Sequence, residues 1–362
     1  MYIGIDLGTS AVKILLVEEN GKVVSTSSRD YELCMPKTNW AEQRPEDWWS
    51  QSKAALIECL THLNGKELKG ISFSGQMHGL VILDENDEVI RPAILWCDQR
   101  TQEECDYLNQ EIGLDKLVSW VGNQALTGFT APKLLWLKKH EPENFKRIRK
   151  IMLPKDYIQY KLTGNFASDV SDASGTLLLD VKHKQWSKEM MEVVGITQNQ
   201  LPALYESYET TGILKKELAE ELGIYNEVII AAGAGDQAAG ATGVGVVENG
   251  VLSVALGTSG VVFLPCEKYS ADCKARLHSF AHANGKYHQM GVILSAAGAL
   301  KWWLEKVNES QDYNQYIEID ARQAKAEGLY FLPYLIGERT PINDADAKGF
   351  LIIVLNHTDS AF

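Results

Sequence analysis

Long apolar runs and paired cysteines are both missing from this sequence, and each absence excludes a class of protein. The longest apolar run late in the chain, residues 350–355, is far too short to cross a bilayer, and no basic segment followed by an apolar stretch stands at the N-terminus. The six cysteines are scattered without a Cys-x-x-Cys pair, which favours reduced thiols over a disulfide framework or a zinc site. We therefore expect a soluble cytoplasmic protein.

Positive charge is also scarce. Lysine and arginine number 35 against 48 aspartate and glutamate residues, so the formal net charge is −13. A surface for nucleic acid or for an anionic membrane is normally basic, so we expect neither as a partner and expect small molecules instead. With 362 residues, of which 45% are hydrophobic, the chain is long enough for two globular domains.

Residues 231–245 are small or uncharged apart from a single carboxylate, Asp236. The apolar run 228–232 predicts a buried strand and the small residues after Asp236 are compatible with a helix, so this carboxylate is predicted where a strand ends and a helix begins. Backbone N–H groups at a helix start attract anions, and a carboxylate there can accept a proton from a substrate hydroxyl. The alternative is an ordinary N-cap aspartate with small residues packed behind it.

A strand, turn, strand pattern occurs twice, about one domain length apart, and predicts two similarly built domains. The turns are Gly8-Thr9-Ser10, between predicted strands 2–7 and 11–17, and Gly257-Thr258-Ser259-Gly260, within 251–264. Such turns offer N–H groups and hydroxyls to a phosphate, and Asp6, which Ala255 replaces in the second copy, can hold magnesium through water. The alternative is a pair of tight hairpins that need glycine, with an aspartate that satisfies a turn N–H.

Two further places carry candidate binding residues. Met77 and His78 lie on a loop after the predicted strand 68–74, where side chains commonly line a ligand crevice in α/β sheets. A core methionine and a structural histidine are the alternative. Asp98 and Arg100 end the predicted strand 92–100, where they either bind a polyol or pair with each other.

Hydrophobic periodicity predicts the remaining elements. Helices are expected at 44–60, after Pro45, over most of 101–165, and at 293–307. Residues 328–335 are expected to form a strand.

Nine short motifs, in order along the chain, resemble those of the FGGY carbohydrate kinases, a family of the actin-like ATPase superfamily, and within it most closely the xylulokinases. The motifs are Gly4-Ile-Asp-Leu-Gly-Thr-Ser10, Ser74-Gly-Gln-Met-His-Gly79, Leu95-Trp-Cys-Asp-Gln-Arg100, Thr127-Gly-Phe-Thr-Ala-Pro-Lys133, Leu153-Pro-Lys-Asp-Tyr157, Ser171-Asp-Ala-Ser-Gly-Thr176, Gly235-Asp-Gln-Ala-Ala-Gly240, Leu256-Gly-Thr-Ser-Gly260 and Pro333-Tyr-Leu-Ile-Gly-Glu-Arg339. The resemblance runs from residue 2 to about residue 349.

The resemblance implies an α/β fold of two ribonuclease-H-like domains around a cleft. Residues 1–237 would form the N-terminal sugar-binding and catalytic domain, and residues 238–362 a partial C-terminal ATP-binding domain. The implied activity is ATP-dependent phosphorylation of D-xylulose to D-xylulose 5-phosphate, with Mg²⁺ as cofactor. It also allows a homodimer.

The resemblance further implies roles for individual residues. Asp236 would be the general base, and Asp6 would help to position magnesium and phosphates, with both carboxylates near the metal. The ketose would contact Met77, His78, Asp236 and Gln237. ATP phosphates would be held by the two turns, at Gly8, Thr9 and Ser10 and at Gly257, Thr258, Ser259 and Gly260.

The end of the chain departs from the family pattern. Residues 350–362 do not follow it, and family members continue beyond this point with a glycine-rich adenine-binding segment. The second domain is therefore expected to be incomplete, as in a truncated product. Two alternatives stay open: a kinase for another sugar or polyol (ribulose, gluconate or glycerol), and a truncated sugar-binding protein with little catalysis.

Overall fold

The computed structural model describes residues 1–310, 312, 328–344 and 346–353. The chain divides into two compact units. The first comprises Met1–Val251 and Pro265–Gln289, and the second comprises Leu252–Leu264 and Met290–Phe362. Helices and strands are mixed along the chain, which confirms the predicted α/β class. A search of the described residues finds no helix with the length and apolar character that a membrane span requires.

The strands are short and numerous. In chain order they are β1 (Tyr2–Leu7), β2 (Ala11–Val17), β3 (Val23–Asp30), β4 (Glu42–Gln43), β5 (Gly70–Gly75), β6 (Val81–Leu83), β7 (Ala93–Ile94), β8 (Lys150–Met152), β9 (Ala167–Asp169), β10 (Leu179–Asp180), β11 (Gln185–Trp186), β12 (Ala203–Tyr205), β13 (Thr210–Ile213), β14 (Ile229–Ala231), β15 (Ala234–Gly235), β16 (Ser253–Leu256), β17 (Gly260–Cys266), β18 (His278–Ala281), β19 (Tyr287–Ile293), β20 (Leu329–Leu332) and β21 (Phe350–Ile353).

The helices lie between them. They are α1 (Pro45–Leu60), α2 (Gln102–Asp106), α3 (Leu114–Val121), α4 (Thr130–His140), α5 (Pro142–Arg147), α6 (Pro154–Thr163), α7 (Val170–Ala173), α8 (Lys188–Val194), α9 (Lys216–Glu221), α10 (Asp236–Gly243) and α11 (Ala297–Trp302). The described residues also form two π-helical segments, Tyr107–Gly113 and Trp303–Val307, and two 3₁₀ turns, Ser174–Thr176 and Gln198–Gln200.

The largest sheet of the first unit has the order β13-β14-β5-β1-β2-β3, and β15 also pairs with β5. β1, β2 and β3 are antiparallel neighbours, so the predicted N-terminal meander is confirmed. β5 runs parallel to β1 on one side and to β14 and β15 on the other. The carboxyl ends of β1, β5 and β15 therefore meet at one edge of the sheet, where Ser74 lies between Asp6 and Ala234.

Buried and exposed side chains alternate along β1, so one face of the strand packs in the core and the other carries Asp6. Ile3, Ile5 and Leu7 are buried, whereas Asp6 is exposed, as expected for successive side chains on opposite faces of a strand. Each fully buried aliphatic side chain contributes about 1.5–3 kcal/mol to folding. The predicted helix α1 packs on β2 and β3 and begins at its proline, Pro45, as expected.

A one-residue bulge separates β14 from β15. Ile230 lies opposite Ile71, but Ala234 lies opposite Ser74, so the register along β5 shifts by one residue between the two segments. Gly233 sits in the bulge with φ of +74°, and a Cβ there would lie 2.6 Å from the carbonyl oxygen of Phe73. Since one residue of register reverses the facing of a strand, the bulge sets the direction in which the following residues point.

The second unit corrects one prediction. Residues 293–307 were expected to form one helix, but Ile293 ends β19 and α11 begins only at Ala297. Short apolar runs suit a strand and a helix equally well, so periodicity cannot separate them. Here the Leu294 N–H donates to Glu338 Oε1 at 2.9 Å, a bond outside any helix.

Two other expected strands are shorter than predicted. The strand expected at 328–335 is limited to β20, which pairs antiparallel with β21, and the strand expected at 92–100 is limited to β7. β21 begins in the segment 350–362 that departs from the family pattern. Residues 354–362 lie outside the described residues.

Replacing Gly233 tests the bulge. Gly233→Ala should lower the free energy of unfolding by about 2–4 kcal/mol, because an alanine Cβ meets the Phe73 backbone and the positive φ is strained. Gly4→Ala is the matched control, since nothing lies within 4 Å of its Cβ position. Urea unfolding of both variants measures the difference, and equal stabilities would contradict the account of the bulge.

Candidate active site

The candidate site lies at the carboxyl ends of three adjacent parallel strands of the first unit. β1 carries Asp6 next to its last residue, β5 leads into Met77 and His78, and β15 leads directly into Asp236. Residues at this edge of an open α/β sheet are those that usually contact ligands. The structure therefore brings together the two predicted carboxylates and the predicted sugar-contact loop.

Asp236 is the first residue of α10, as predicted from the strand-to-helix pattern. Its side chain is half-buried. The pKa of Asp236 is raised from its ordinary 3.8 to about 6, mainly by burial and additionally by the negative charge of Asp6, while hydrogen bonds from Gln237 act in the opposite direction. At neutral pH the carboxylate is ionised, yet it binds a proton more strongly than an exposed aspartate does.

Asp6 is exposed and is oriented by the Ser74 hydroxyl, which donates to Asp6 Oδ1 at 2.8 Å. Among the described residues, no lysine or arginine forms an ion pair with Asp6 or Asp236. Two neighbouring carboxylates without a cation between them suit a hard metal ion such as Mg²⁺, which prefers oxygen ligands and keeps several waters. A cluster of three or more metal-binding side chains does not occur in the described ranges, so water and substrate would have to supply the other ligands.

His78 is held in an uncommon conformation. Its φ is +68°, in the left-handed region, and its Nδ1 donates to the Gly175 carbonyl oxygen at 2.6 Å. The ring packs against Phe129 with centroids 4.7 Å apart. Because Nδ1 carries the proton in this arrangement, the lone pair of the neutral ring is on Nε2. Neighbouring Met77 is buried, which is compatible with the alternative interpretation of this residue as part of the core.

Residues that support His78 were not predicted from the sequence. Lys133, fully buried, donates from Nζ to the His78 carbonyl oxygen at 2.9 Å and to the Gly128 carbonyl oxygen at 2.7 Å, and Thr130 Oγ1 donates to the His78 carbonyl at 3.1 Å. Burial lowers the pKa of Lys133 to about 7. The sequence feature that could have identified Lys133 is a lysine among apolar residues at a predicted helix start, within one of the nine motifs.

In the first Gly-Thr-Ser turn, the Thr9 hydroxyl is already engaged. It donates to Gln76 Oε1 at 3.1 Å and accepts from Trp96 Nε1 at 2.9 Å, while the Thr9 carbonyl accepts from Gln43 Nε2 at 2.7 Å. A hydroxyl has one proton to donate, so that of Thr9 stabilises the turn. Ser10 is exposed, and Gly8 donates its N–H to Ala11 O.

The second Gly-Thr-Ser turn, in the second unit, differs in geometry. Gly257 donates its N–H to Ser259 O, and Leu256 lies opposite Gly260, which makes this turn one residue shorter than the first, where Leu7 lies opposite Val12. The Thr258 carbonyl accepts from the N–H groups of Ala296 and Gly298 at the start of α11. Thr258 and Ser259 are exposed.

Asp98 and Arg100 pair with each other, one of the two alternatives. Asp98 Oδ2 and Arg100 Nη2 are 2.7 Å apart, and both side chains are almost fully buried. Arg100 also pairs with Glu42 at 2.7 Å and stacks on Trp40 at 3.6 Å. This network is therefore part of the buried packing of the first unit.

Solved structures similar to this chain define its class. The xyloylose kinase of Brucella ovis matches with a TM-score of 0.93 at 41% identity, over 99% of this chain and 74% of that one. The gluconate kinase of Lactobacillus acidophilus matches with a TM-score of 0.91 at 29% identity, over 98% of this chain and 72% of that one. The chain therefore has the two-domain actin-like fold of sugar kinases.

Sequence comparison identifies the family. The N-terminal domain model of the FGGY family of carbohydrate kinases matches residues 1–243, and the C-terminal domain model matches residues 252–361. The xylulose kinase of Lactococcus lactis subsp. lactis is 44% identical over 359 residues, 98% of this chain and 71% of that protein. This chain belongs to the FGGY family of carbohydrate kinases, whose members use ATP.

The raised pKa of Asp236 predicts a pH dependence of stability. The carboxyl binds its proton more tightly in the folded chain than in the unfolded chain, so stability falls as the pH rises above its ordinary pKa of 3.8, and the loss is complete above about 6. Asp236→Asn removes this effect and should raise the free energy of unfolding by about 1–3 kcal/mol at pH 8. The gain should shrink as the pH falls through 6 towards 4, as measured by urea unfolding at several pH values.

Glu227→Gln serves as the control, because Glu227 is an exposed carboxylate. It should give no such gain between pH 5 and pH 8. A gain for Asp236→Asn that is the same at pH 4 and pH 8 would show that the stability effect has another cause.

Proposed function

We propose that this chain transfers the γ-phosphoryl group of ATP to D-xylulose, forming D-xylulose 5-phosphate, with Asp236 as the general base. The observation that carries the proposal is the half-buried carboxylate of Asp236, with a pKa near 6, beside Asp6 at the carboxyl edge of the sheet. The similarity to the Lactococcus lactis xylulose kinase supports the choice of sugar.

Asp236 suits the part of a base at neutral pH. It is ionised above its pKa, and burial makes it more basic than an exposed aspartate. It accepts the proton of the C5 hydroxyl as that oxygen forms a bond to the γ-phosphorus, while the bond from phosphorus to the ADP oxygen breaks in line. The chemistry needs little more from the protein than positioning and neutralisation of charge.

The loop after β5 orients the sugar. His78, whose ring is oriented by the bond from Nδ1 to the Gly175 carbonyl oxygen, would contact the sugar. Gln237, next to the base, supplies an amide that can both donate and accept. Met77 is buried and has no polar side-chain group except its weakly accepting sulfur, so the polar contacts fall to these two residues.

Asp6 and Asp236 would hold magnesium through their carboxylate oxygens, and the bound ion would neutralise phosphate charge. Phosphates would contact the turns at Gly8-Thr9-Ser10 and Gly257-Thr258-Ser259-Gly260. In the first turn the contact would come from Ser10 and the backbone, because the Thr9 hydroxyl is engaged. We assign residues 1–237 to the sugar-binding and catalytic domain and residues 238–362 to the ATP-binding domain.

A kinase for gluconate is the second candidate. The solved gluconate kinase of Lactobacillus acidophilus has the same fold at 29% identity, so the fold alone does not choose between sugars. Few contacts separate a ketose from an aldonate, and the two neighbouring carboxylates, Asp6 and Asp236, disfavour an anionic sugar acid beside them. The charge of the site therefore favours the neutral ketose.

Removal of the base tests the catalytic assignment. Asp236→Ala should lower kcat for D-xylulose by about 10²–10⁴-fold, the usual contribution of a general base, with a smaller change in sugar affinity. Glu227→Gln should keep the parent rate. A coupled assay of ADP release measures both, and an Asp236→Ala variant as fast as the parent would rule out this base.

A substrate panel tests the choice of sugar. The kcat/KM for D-xylulose should exceed those for D-ribulose, gluconate and glycerol by at least about tenfold, since a poorly fitting sugar leaves a buried polar group unpaired at a cost of about 1–3 kcal/mol, and about 1.4 kcal/mol is tenfold. A higher value for gluconate would support the second candidate. Calorimetry with ATP and with D-xylulose separately completes the test, because sugar binding without ATP binding would favour a sugar-binding protein with little catalysis.

A further inference from the structure

A buried lysine behind the candidate site has no part in the proposed chemistry. Lys155, at the start of α6, is completely buried, and its Nζ lies 2.7 Å from Asp156 Oδ1, 2.8 Å from Asp169 Oδ1 and 3.7 Å from Asp172 Oδ2. Burial acts to lower the pKa of Lys155, but the three carboxylates outweigh it and raise the pKa above its ordinary value. The lysine is therefore a fixed cation inside the first unit.

Lys155 is packed directly against the strand that leads to the sugar-contact loop. A Cβ on Gly75, the last residue of β5, would lie 2.7 Å from Lys155 Cβ. Gly75 in turn lies opposite Gly235 in β15. The ion cluster is thus separated from the residue before Asp236 by a single strand.

A chain of hydrogen bonds connects this cluster to the backbone beside the base. Asp169 Oδ2 accepts from Ser171 Oγ at 2.5 Å, from Ser171 N at 2.8 Å and from Ser207 Oγ at 2.7 Å. Ser171 Oγ also lies 3.2 Å from the backbone nitrogen of Gly235. Because the one hydroxyl proton of Ser171 is donated to Asp169, its oxygen acts as the acceptor towards the Gly235 N–H, with Ser207 Oγ more distant at 3.4 Å.

The backbone at Gly235 is intrinsically flexible, so a hydrogen bond to its N–H matters for the position of the next residue. A side chain is excluded there, because a Cβ would lie 2.9 Å from Met77 Cγ. Glycine is the most flexible residue, and here it directly precedes Asp236. The packing of Met77 thus requires glycine at position 235. The hydrogen bond to Ser171 restricts the backbone conformations that this glycine could otherwise adopt.

We propose that Ser171 is a positioning residue for Asp236, and that Lys155 and Asp169 fix the direction of its hydrogen bond. The inference rests on the proposed function, since it assigns a purpose to the orientation of the base. Lys155 lies against Asp169 Oδ1, Asp169 Oδ2 accepts the hydrogen bond of the Ser171 hydroxyl, and Ser171 Oγ in turn accepts from the Gly235 N–H. The direction of each hydrogen bond in this series is thereby fixed.

Two serine variants separate positioning from general packing. Ser171→Ala and Ser207→Ala each remove one hydroxyl from Asp169 Oδ2, but only Ser171 contacts Gly235. Ser171→Ala should lower kcat by about 10- to 100-fold, because misplacement of a reacting group by about 1 Å has effects of this size, with KM for sugar and ATP within about twofold. Ser207→Ala should keep kcat within about twofold. Equal kcat values for the two variants would overturn the proposal.

A double-mutant cycle tests whether Ser171 acts through Asp236. In the Asp236→Ala background, Ser171→Ala should change the residual rate by less than about twofold, since the group it positions is gone. A loss as large as in the parent background would mean that Ser171 acts on something else, and would contradict the proposal. Ser171→Cys, which keeps a γ atom but accepts hydrogen bonds weakly, should lie between parent and alanine variant.

Hydrogen exchange at the Gly235 amide gives a readout that does not depend on turnover or on the identity of the base. The amide should exchange at least about tenfold faster in Ser171→Ala than in Ser207→Ala, as expected when one hydrogen bond is lost. Ser171→Cys provides the same comparison if the alanine variant does not fold. Equal exchange rates overturn the positioning proposal, whereas faster exchange with a fully active Asp236→Ala variant would overturn only the assignment of the base.

Discussion

The site depends on the placement of two carboxylates side by side against their mutual repulsion. Asp6 and Asp236 come from sequence positions far apart and meet because β1, β5 and β15 run parallel and end at one edge. The repulsion appears in the pKa of Asp236, which burial and the charge of Asp6 raise to about 6. Such a pair stays together only if the surrounding backbone leaves it no other arrangement, so the rigidity of the sheet edge is the basis of the site.

Three glycines contribute to that rigidity, because they let other groups pack tightly against the backbone. Gly233 allows the bulge that shifts the register of β15, and Gly75 and Gly235 allow Lys155 and Met77 to approach the backbone closely. Each of these positions excludes a side chain by contact distances below 3 Å. The close approach places polar groups directly behind the strands, where they hold the backbone from which the candidate residues project.

Buried lysines provide the second support. Lys133 donates to the carbonyl of His78, and Lys155 is enclosed by carboxylates. Buried ion pairs such as those of Lys155 add little net stability, because desolvation offsets most of their attraction. The directional bonds of the two lysines instead select one backbone conformation, as at His78 with its positive φ. This agrees with the general finding that strained backbone is concentrated at functional sites.

The sequence by itself determined the local features and, through nine motifs in order, the family. The N-terminal meander, the helix after Pro45 and the strand-to-helix position of Asp236 follow from hydrophobic period, turn residues and helix-start signals, which act between near neighbours. It could not decide whether the apolar residues from Ile293 onward form strand or helix, because both bury such residues equally well. Which motif residues support others was settled by tertiary contacts, because Lys133 meets His78, Lys155 meets Asp169 and Ser171 meets Gly235 across separations that local sequence patterns do not cover.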